Sequence, residues 1–226
     1  TDPDASIPQA RNSAFIVDCD SPGFELLRDI ETMAGSHNHC EIRYTDVRVP
    51  GANLLGERGG GHKLGQVRLG PARLAHCMRW LGEIEMALEM LIDRAQQRFA
   101  HGSLLSEKQS IQWMMSDSAM ELYAAKLMVL HAAYKIENGL EFKQEVSMAK
   151  HHVANTLWRV CDRAVQVHGA LGYSTDSPLS GMLQQARWAR LADGADEVHQ
   201  MRIAELLMRA YNDNGSINAA VGALPL

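Results

Sequence analysis

The spacing of apolar residues along the chain changes near Gly70. Before that point, residues 14–19 and 40–50 form short segments rich in β-branched and aromatic residues, and the second alternates between apolar and polar positions. Such segments are typical of β-strands. After Gly70 the apolar residues recur about every 3.6 positions, which predicts helices with one buried face. The pattern therefore predicts a few strands followed by a helical region.

Three stripes of apolar residues predict three long helices in the second region. Pro71 falls where the first turn of a helix tolerates proline, so the first helix is predicted to begin near Gly70. Asn138-Gly139 and Gly169 are typical of helix ends and are predicted to stop the second and third helices. The stripes comprise Leu81, Ile84, Leu88, Leu91 and Ala95; Ile111, Met115, Ser118, Leu122, Ala125 and Val129; and Val146, Ala149, Val153, Leu157, Val160, Ala164 and Val167.

Two shorter helices are predicted after the third stripe, over residues 177–191 and 196–209. The apolar spacing of three and four favours near-antiparallel packing in a bundle. The glycine-rich segment 56–65 lacks the G-K-[ST] signature of a phosphate-binding loop, so we interpret it as a flexible link into the helices. Ser106 and Gln109 have the spacing of a capping box, which predicts the start of the second long helix.

Composition and charge exclude several classes of partner. A formal net charge of −5 over 226 residues offers no electrostatic attraction to nucleic acid or to an anionic membrane. No apolar run is long enough to span a bilayer. We therefore expect neither a nucleic-acid partner nor a membrane span. The four cysteines lie far apart and form no C-x-x-C pair, which predicts free thiols.

Three classes of function suit a helical bundle of this kind. A di-iron or di-manganese enzyme needs Glu-x-x-His on two helices, and no glutamate of the chain has a histidine three residues later, so we predict no metal site. A structural or docking bundle stays open. A flavin-dependent enzyme is favoured by residues 164–178, where Gly169 and Gly172 exceed the needs of a helix end and let backbone approach a bulky partner.

The stretch RLADGADEVHQ, residues 190–200, interrupts the helical pattern at Asp193-Gly194. One interpretation is structural: Asp-Gly is a common turn, and Asp196 caps the next helix. The other is functional, with Asp193 as a catalytic carboxylate that projects from the loop. Local features alone favour the turn.

Several motifs change that balance because they occur together, in one order and at matching spacings. They are FIVDCDSPGFELLRDIETMAG, YTDVRVPGANLLGERGGGHKLG, GPARLAHCMRWLG, QQRFAHG followed by EKQ, AVQVHGALG and LADGADEVHQ. With them the sequence resembles the C-terminal half of an acyl-CoA dehydrogenase, continuously from about Ala14 to Arg209. HCEI, RLGPAR, HCMR and RLADGADEVH resemble the subgroup whose eukaryotic members carry a fused aminoglycoside-phosphotransferase-like domain.

The resemblance implies an α+β fold that is mainly α. Residues 1–66 are expected to end an antiparallel middle β domain, and residues 67–226 to form a C-terminal up-down helical bundle. The family's N-terminal helical domain is expected to be absent from this chain. FAD, an acyl-CoA substrate, an electron-transfer flavoprotein and a homotetrameric or dimeric assembly are implied as cofactor and partners. The expected compartment is the cytoplasm in a bacterium, or the mitochondrial matrix or peroxisome in a eukaryote.

The implied reaction is α,β-desaturation of an acyl-CoA thioester. Asp193 would remove the α proton, in the position where most of the family has glutamate, and the β hydride would pass to N5 of FAD. Water must be excluded and the enolate oxygen stabilised, because an isolated thioester α proton is too weakly acidic for a carboxylate in water. Two alternatives are kept: a non-redox acyl-CoA-binding or structural bundle, and a relative that processes 4-hydroxy- or 4-phospho-acyl-CoAs.

The resemblance also assigns binding roles. Arg73 and Gly194 are implied to lie at the substrate, and Arg98 and Gln166 to reach the FAD of a neighbouring subunit. Three simpler roles stay open: a structural salt bridge for Arg73, a helix-end cation for Arg98, and closure of the capping box for Gln109. The residues implied to contact FAD are Arg98, His101, Gln109, Gln166, Val167, His168, Gly169, Ala170, Asp196 and Glu197.

Overall fold

The computed structural model describes residues 2–35 and 39–221, and its architecture is mainly helical. The chain divides into two compact units, Thr1–Pro71 and Ala72–Leu226. Short antiparallel strands characterise the first unit and packed helices the second. This confirms the predicted fold class, α+β and mainly α.

The first unit contains two pairs of antiparallel strands. Strand β1 (Ala14–Phe15) pairs with β4 (Leu54–Leu55), and β2 (Phe24–Asp29) pairs with β3 (Cys40–Tyr44). The strand predicted over residues 14–19 is therefore shorter than expected, because it pairs with only two residues. The prediction for residues 40–50 is confirmed over its first half. No described residue of this unit is buried.

Helix α1 (Gly61–Gln97) begins well before its predicted start, and Pro71 lies inside it rather than in its first turn. The interpretation of residues 56–65 as a flexible link is also wrong. The backbone N–H of Gly59 donates to Oγ of Ser13 at 2.8 Å, and that of Gly61 donates to the carbonyl of Asn12 at 2.8 Å. These hydrogen bonds connect distant parts of the first unit, so a local sequence pattern could not predict them.

The second unit adds a short hairpin and six further helices among its described residues. Strand β5 (Phe99–Ala100) pairs with β6 (Ser103–Leu104). The helices are α2 (Gln109–Glu137), α3 (Lys143–His168), α4 (Ala170–Tyr173), α5 (Leu179–Ala189), α6 (Asp196–Asn214) and α7 (Asn218–Val221). In the described part of the chain, no helix has the length and apolar character needed to cross a membrane.

The predicted helix ends are confirmed, but one predicted helix start is wrong in detail. Gly139 and Gly169, which follow α2 and α3, each have φ near +65°. The predicted capping box does not form, because Ser106 lies in a 3₁₀ turn, Leu105–Glu107, and Lys108 is the N-cap residue of α2. The carbonyl of Ser106 instead accepts a hydrogen bond from the side chain of Gln112 at 3.0 Å.

Helix α3 lies at the centre of the core and packs against α2, α5 and α6. Every residue of its predicted apolar stripe is buried, as are most residues of the other two stripes. Helices α2 and α3 run antiparallel, since Arg159 near the middle of α3 contacts Glu121 of α2 while Lys135 near the end of α2 contacts Glu145 near the start of α3. One residue of the α3 core is unexpected: Lys150 is completely buried.

Candidate active site

The loop between α5 and α6 turns on two residues with left-handed backbone. Asp193 has φ of +52° and Gly194 has φ of +114°. A side chain at Gly194 would also collide with α6, since a Cβ atom there would lie 2.9 Å from Nε2 of His199. Only glycine meets both the conformational and the steric requirement. The turn predicted at Asp193-Gly194 therefore forms.

Two cationic side chains from different helices hold the backbone of this turn. Nε of Arg73, on α1, donates to the carbonyl oxygen of Asp193 at 2.8 Å. Nζ of Lys150, on α3, donates to the carbonyl oxygen of Gly194 at 2.7 Å. In this structure Arg73 thus makes a hydrogen bond to the loop that carries Asp193, rather than the salt bridge kept as its alternative role. Hydrogen bonds from charged donors are among the stronger ones in proteins.

The carboxylate of Asp193 faces α1. Its Oδ2 atom lies 3.2 Å from Nε2 of His76, and each of these two side chains is 19% exposed. The imidazole ring of His76 lies against two tryptophans, with centroid distances of 5.3 Å to Trp80 and 5.8 Å to Trp188. A partly accessible carboxylate, whose neighbour His76 packs against two aromatic rings, is suited to a reaction that requires limited water.

Asp196, the second residue after Gly194, is buried and only 3% exposed. Its Oδ2 accepts hydrogen bonds from Arg190 at 2.7 Å and Asn155 at 3.0 Å, and its Oδ1 lies 3.9 Å from Nζ of Lys150. Burial tends to raise the pKa of Asp196. The hydrogen bonds from Arg190 and Asn155, together with the charges of His151 and Lys150, outweigh burial and hold that pKa below its ordinary value.

These contacts correct two interpretations of Asp196. The predicted contact with FAD does not match its position, because its carboxylate is buried and directed to cations of the same chain. The capping role is wrong as well, since Ala195 is the N-cap residue of α6 and no side chain caps that helix. Asp196 is instead the counter-ion that allows charged residues beneath the turn to be buried. Glu197, the next residue, is exposed.

Two buried residues that contact the loop, Lys150 and His199, have lowered pKa values. Burial lowers the pKa of the Lys150 ammonium, although the charge of Asp196 opposes this effect. Burial, followed by repulsion from Lys150 and Arg73, lowers the pKa of His199 to about 4. His199 is therefore neutral at pH 7, and it packs against Gly194.

Sequence reasoning assigned no role to His76, Lys150 or His199. A signal existed for two of them. Lys150 falls among the buried positions of the third apolar stripe, where a charged residue calls for a partner. His76 follows Arg73 by three residues, which places both on one face of α1. His199 offered no signal, because only the packing of α6 against the turn brings it to Gly194.

The remaining predicted FAD-binding residues lie at a different place. Arg98 follows α1 directly and is exposed, and His101 with Gly102 forms the exposed tip of the β5–β6 hairpin. Gln109 is exposed at the start of α2, and Gln166 is exposed near the end of α3. Because α2 and α3 are antiparallel, these two ends meet at one end of the bundle.

The residues that follow Gln166 lie in different environments, some buried in the core and others exposed. The side chain of Val167 is buried in the core, and Nδ1 of His168 lies 2.8 Å from the carbonyl oxygen of Ala164. Gly169 and Ala170 are exposed. Gly172 does allow a close approach, but to α3 itself: a Cβ atom there would lie 2.7 Å from the carbonyl oxygen of Val165.

The predicted residues therefore divide between two sites. Along α3, Gln166 is about 24 Å from Lys150 at a rise of about 1.5 Å per residue. Lys150 contacts the Asp193 loop, whereas Gln166 belongs to the exposed group with Gln109 and Gly169. The predicted residues at these two places therefore do not line a single binding site.

Comparisons with known proteins give one consistent result. Residues 59–208 match the family model described as acyl-CoA dehydrogenase, C-terminal domain. The chain is 41% identical to the probable acyl-CoA dehydrogenase FadE2 of Mycobacterium tuberculosis over 90% of this chain and 51% of that protein. It is 37% identical to acyl-CoA dehydrogenase family member 11 of Rattus norvegicus over 86% of this chain and 26% of that protein.

A solved structure agrees with these relatives. A putative acyl-CoA dehydrogenase from Mycobacterium abscessus superposes with a TM-score of 0.87 at 33% identity, over 93% of this chain and 53% of that one. The chain thus spans about half the length of the mycobacterial proteins it matches, and about a quarter of the rat relative.

Proposed function

This chain belongs to the acyl-CoA dehydrogenase family, and on that premise we propose that it supplies the catalytic base for α,β-desaturation of an acyl-CoA thioester. The observation that carries the proposal is the position of Asp193. Its carboxylate projects from a turn held by cations of two helices, and it is partly accessible to a substrate. A base that must reach one carbon-bound proton needs such restricted freedom, because placement errors of about 1 Å cost large factors in rate.

Asp193 acts on the substrate's α carbon in this proposal. The α C–H bond breaks, the proton moves to the carboxylate, and the electron pair passes into the thioester as an enolate. Aspartate is one methylene shorter than the family's usual glutamate, so the backbone of the turn must hold it closer to the substrate. The hydrogen bonds from Arg73 and Lys150 to the turn carbonyls supply that support.

The enolate oxygen needs hydrogen-bond donors. Among the described residues, no acceptor pairs with the backbone N–H of Asp193, which is therefore available to the substrate. The aromatic rings of Trp80 and Trp188 pack against His76, the neighbour of the carboxylate, and in this proposal they limit the access of water. These features support Asp193 as a base in a partly desolvated site. The left-handed φ of Gly194 determines the direction of the turn, which gives the predicted role of Gly194 at the substrate a physical basis.

FAD fits the second group of predicted residues. Arg98, Gln109 and Gln166 are exposed, and within the described chain none of their side chains donates to a protein acceptor. A cation and two amides that are free to donate suit an anionic dinucleotide, with the exposed backbone at Gly169 and Ala170 beside them. When bound, FAD supplies a two-electron acceptor for the β hydride. The distance of about 24 Å along α3 supports contacts with two different FAD molecules, one at the Asp193 turn and one at this group.

An exposed apolar face of α2 supports a homo-oligomer, with a second copy of the chain as its occupant. The face repeats at three- and four-residue intervals, the spacing of packed helices, while the opposite face of α2 is buried against α3. Sharing FAD between subunits requires such an assembly. The face consists of Trp113, Met120, Tyr123, Leu127, Leu130 and Tyr134, all exposed.

The test is reduction of the bound flavin by acyl-CoA thioesters in the FAD-loaded protein. A panel that varies chain length and includes 4-hydroxy- and 4-phospho-acyl-CoAs should contain at least one substrate that bleaches the flavin absorbance. Binding of acyl-CoA without bleaching across the panel contradicts the proposal and favours the non-redox binding protein. Electron-transfer flavoprotein, the proposed acceptor, should then reoxidise the reduced enzyme.

Asp193→Asn identifies the base. The variant keeps the shape of the side chain and the left-handed backbone, which asparagine tolerates. It should bind FAD and acyl-CoA and melt within a few degrees of the parent, whereas flavin reduction slows by about 10²–10⁴-fold or more. Asp193→Glu should keep part of the rate. Reduction of Asp193→Asn at the parental rate would return Asp193 to the role of a turn residue.

A further inference from the structure

His76 joins the carboxylate of Asp193 to Arg79 through the two nitrogens of one ring. Nη2 of Arg79 lies 2.7 Å from Nδ1 of His76 and 3.4 Å from Nε2, so Nδ1 is the nearer partner. A guanidinium group donates hydrogen bonds and accepts none. Nδ1 therefore accepts, and the proton of the neutral ring lies on Nε2. This nitrogen is 3.2 Å from Oδ2 of Asp193, a buried oxygen that has no aligned hydrogen-bond donor among the described residues. Hydrogen bonds of catalytic groups are often poorly aligned before the substrate binds, and they tighten in its complex.

The position of the ring is determined by packing as well as by hydrogen bonds. Trp80 is almost fully buried, and its ring meets that of Trp188 edge to face. The imidazole of His76 contacts both rings. The donor that faces Asp193 therefore has little freedom to rotate away.

We propose that His76 is a positioning residue for Asp193: as a neutral donor it holds one carboxylate oxygen and leaves the other to accept the substrate's α proton. The inference rests on the proposed function, in which Asp193 is the base. During the step the proton of Nε2 stays on His76, and the proton that moves is the one from the α carbon. Within the described chain neither carboxylate oxygen has an aligned hydrogen bond, but Oδ2 is buried against His76, so Oδ1 is the oxygen left for that transfer.

The neutral state of the donor has a chemical consequence. A cationic partner would stabilise the carboxylate as an ion pair and weaken its affinity for the α proton. A neutral N–H orients the carboxylate at a smaller loss of basicity. Arg79 maintains this arrangement, because a proton on Nδ1 would replace the acceptor of its hydrogen bond with a like charge.

Other charged groups around Asp193 do not take over this role. Arg73 and Lys150 donate to backbone carbonyls of the turn, not to the carboxylate. His199 is neutral at pH 7, because its pKa is lowered to about 4 by burial. Among the described residues, the titratable and charged groups that pack around the turn are Arg73, His76 and Arg79 from α1, Lys150 and His151 from α3, Arg190 after α5, and Asp196 and His199 from α6.

Two substitutions at His76 separate the donor from the ring. His76→Phe keeps an aromatic ring between the tryptophans and removes the N–H donor. His76→Gln removes the ring and keeps a neutral N–H donor at about the same reach. The measurements, made on the FAD-loaded protein, are the rate constant of flavin reduction by an acyl-CoA across pH, the Kd for that acyl-CoA, and the melting temperature.

The rate of flavin reduction should depend on the N–H donor at position 76 and not on the aromatic ring. In His76→Phe the rate constant should fall by about tenfold or more at every pH, because the carboxylate loses the donor that orients it toward the α carbon. The Kd and melting temperature should stay close to the parental values. In His76→Gln the rate constant should stay within about threefold of the parent.

Each other outcome is decisive. A His76→Phe profile that coincides with that of the parent overturns the positioning role and leaves the proposed function standing. Equal losses in both variants, with a lowered melting temperature, overturn it in favour of packing. A parent whose flavin no acyl-CoA reduces overturns the proposed function, and the role of His76 with it.

Discussion

Two turns of this chain both have a polar residue and a glycine in left-handed backbone, but different parts of the chain support them. In the β5–β6 hairpin, His101 and Gly102 have φ of +51° and +83°. In the loop before α6, Asp193 and Gly194 have φ of +52° and +114°. Each turn is a polar residue followed by glycine, and each has a lysine Nζ on a carbonyl oxygen: Lys108 on His101 at 3.0 Å, and Lys150 on Gly194 at 2.7 Å.

The supports of the two turns differ. The hairpin turn is exposed and is closed by the pairing of its own neighbours, Ala100 with Ser103 and Phe99 with Leu104. The Asp193 turn has no strand pairing and depends on side chains from α1, α3 and α6. The turn that presents the proposed base is thus held by side chains from other helices, whereas the exposed hairpin turn is held by its own strand pairing.

Substitution of the glycine should produce the largest difference in stability between the two turns. Gly194→Ala adds strain at φ +114° and a collision with the buried ring of His199, so we expect a loss of about 2–4 kcal/mol in the free energy of unfolding. Gly102→Ala, with no atom near the added Cβ, should cost about 1 kcal/mol from backbone conformation alone. Urea unfolding of both variants measures the difference, and equal losses would contradict the external support of the Asp193 turn.

The two lysines provide the second comparison. Lys150→Met leaves the carbonyl of Gly194 without its donor and Asp196 without one of its cations, which should cost about 2–3 kcal/mol and slow flavin reduction. Lys108→Met removes a solvent-accessible contact and should change stability by at most about 0.5 kcal/mol. If Lys150→Met is as stable and as active as Lys108→Met, the buried ammonium does not support the turn.

Acid pH should weaken the Asp193 turn and leave the hairpin turn unchanged. The pKa of folded His199 is about 4, below the value of about 6.5 expected in the unfolded chain. The unfolded state therefore binds more protons between these values, and lowering the pH from 7 to 5 should remove about 1–2 kcal/mol of stability. His199→Gln should abolish this part of the pH dependence, while the exposed His101→Gln should preserve it. Urea unfolding at pH 5 and pH 7 measures this loss in the parent and both variants. If all three proteins lose the same stability, His199 is not the cause of the pH dependence.

The smallest effect is expected at the hairpin tip. Asparagine adopts left-handed backbone more readily than histidine, so His101→Asn should stabilise the turn by a few tenths of a kcal/mol, roughly. Thermal melting of the variant beside the parent checks this. A drop of several degrees would mean that the His101 side chain has a structural partner that its exposure does not suggest.

The helices of the second unit and much of their core could be predicted from the sequence alone. The apolar period of 3.6 is a local property, and every residue of the predicted α3 stripe is buried. Gly139 and Gly169 marked helix ends because positive φ is a property of a single residue. The motif LADGADEVHQ, in its place among the other motifs, was sufficient to single out Asp193.

Tertiary structure decided what surrounds Asp193. The start of α1 at Gly61 depends on a hydrogen bond to Asn12, and the capping box failed because a 3₁₀ turn took up Ser106. Asp196 is directed inward because Lys150 of α3 and Arg190, directly after α5, both contact it. His76 and Lys150 reach the turn from helices that are far from it in sequence. Periodicity reports which face of a helix is buried, but the partner of a buried polar group is determined only when the helices pack, because the cost of burying charge is met by groups distant in the chain.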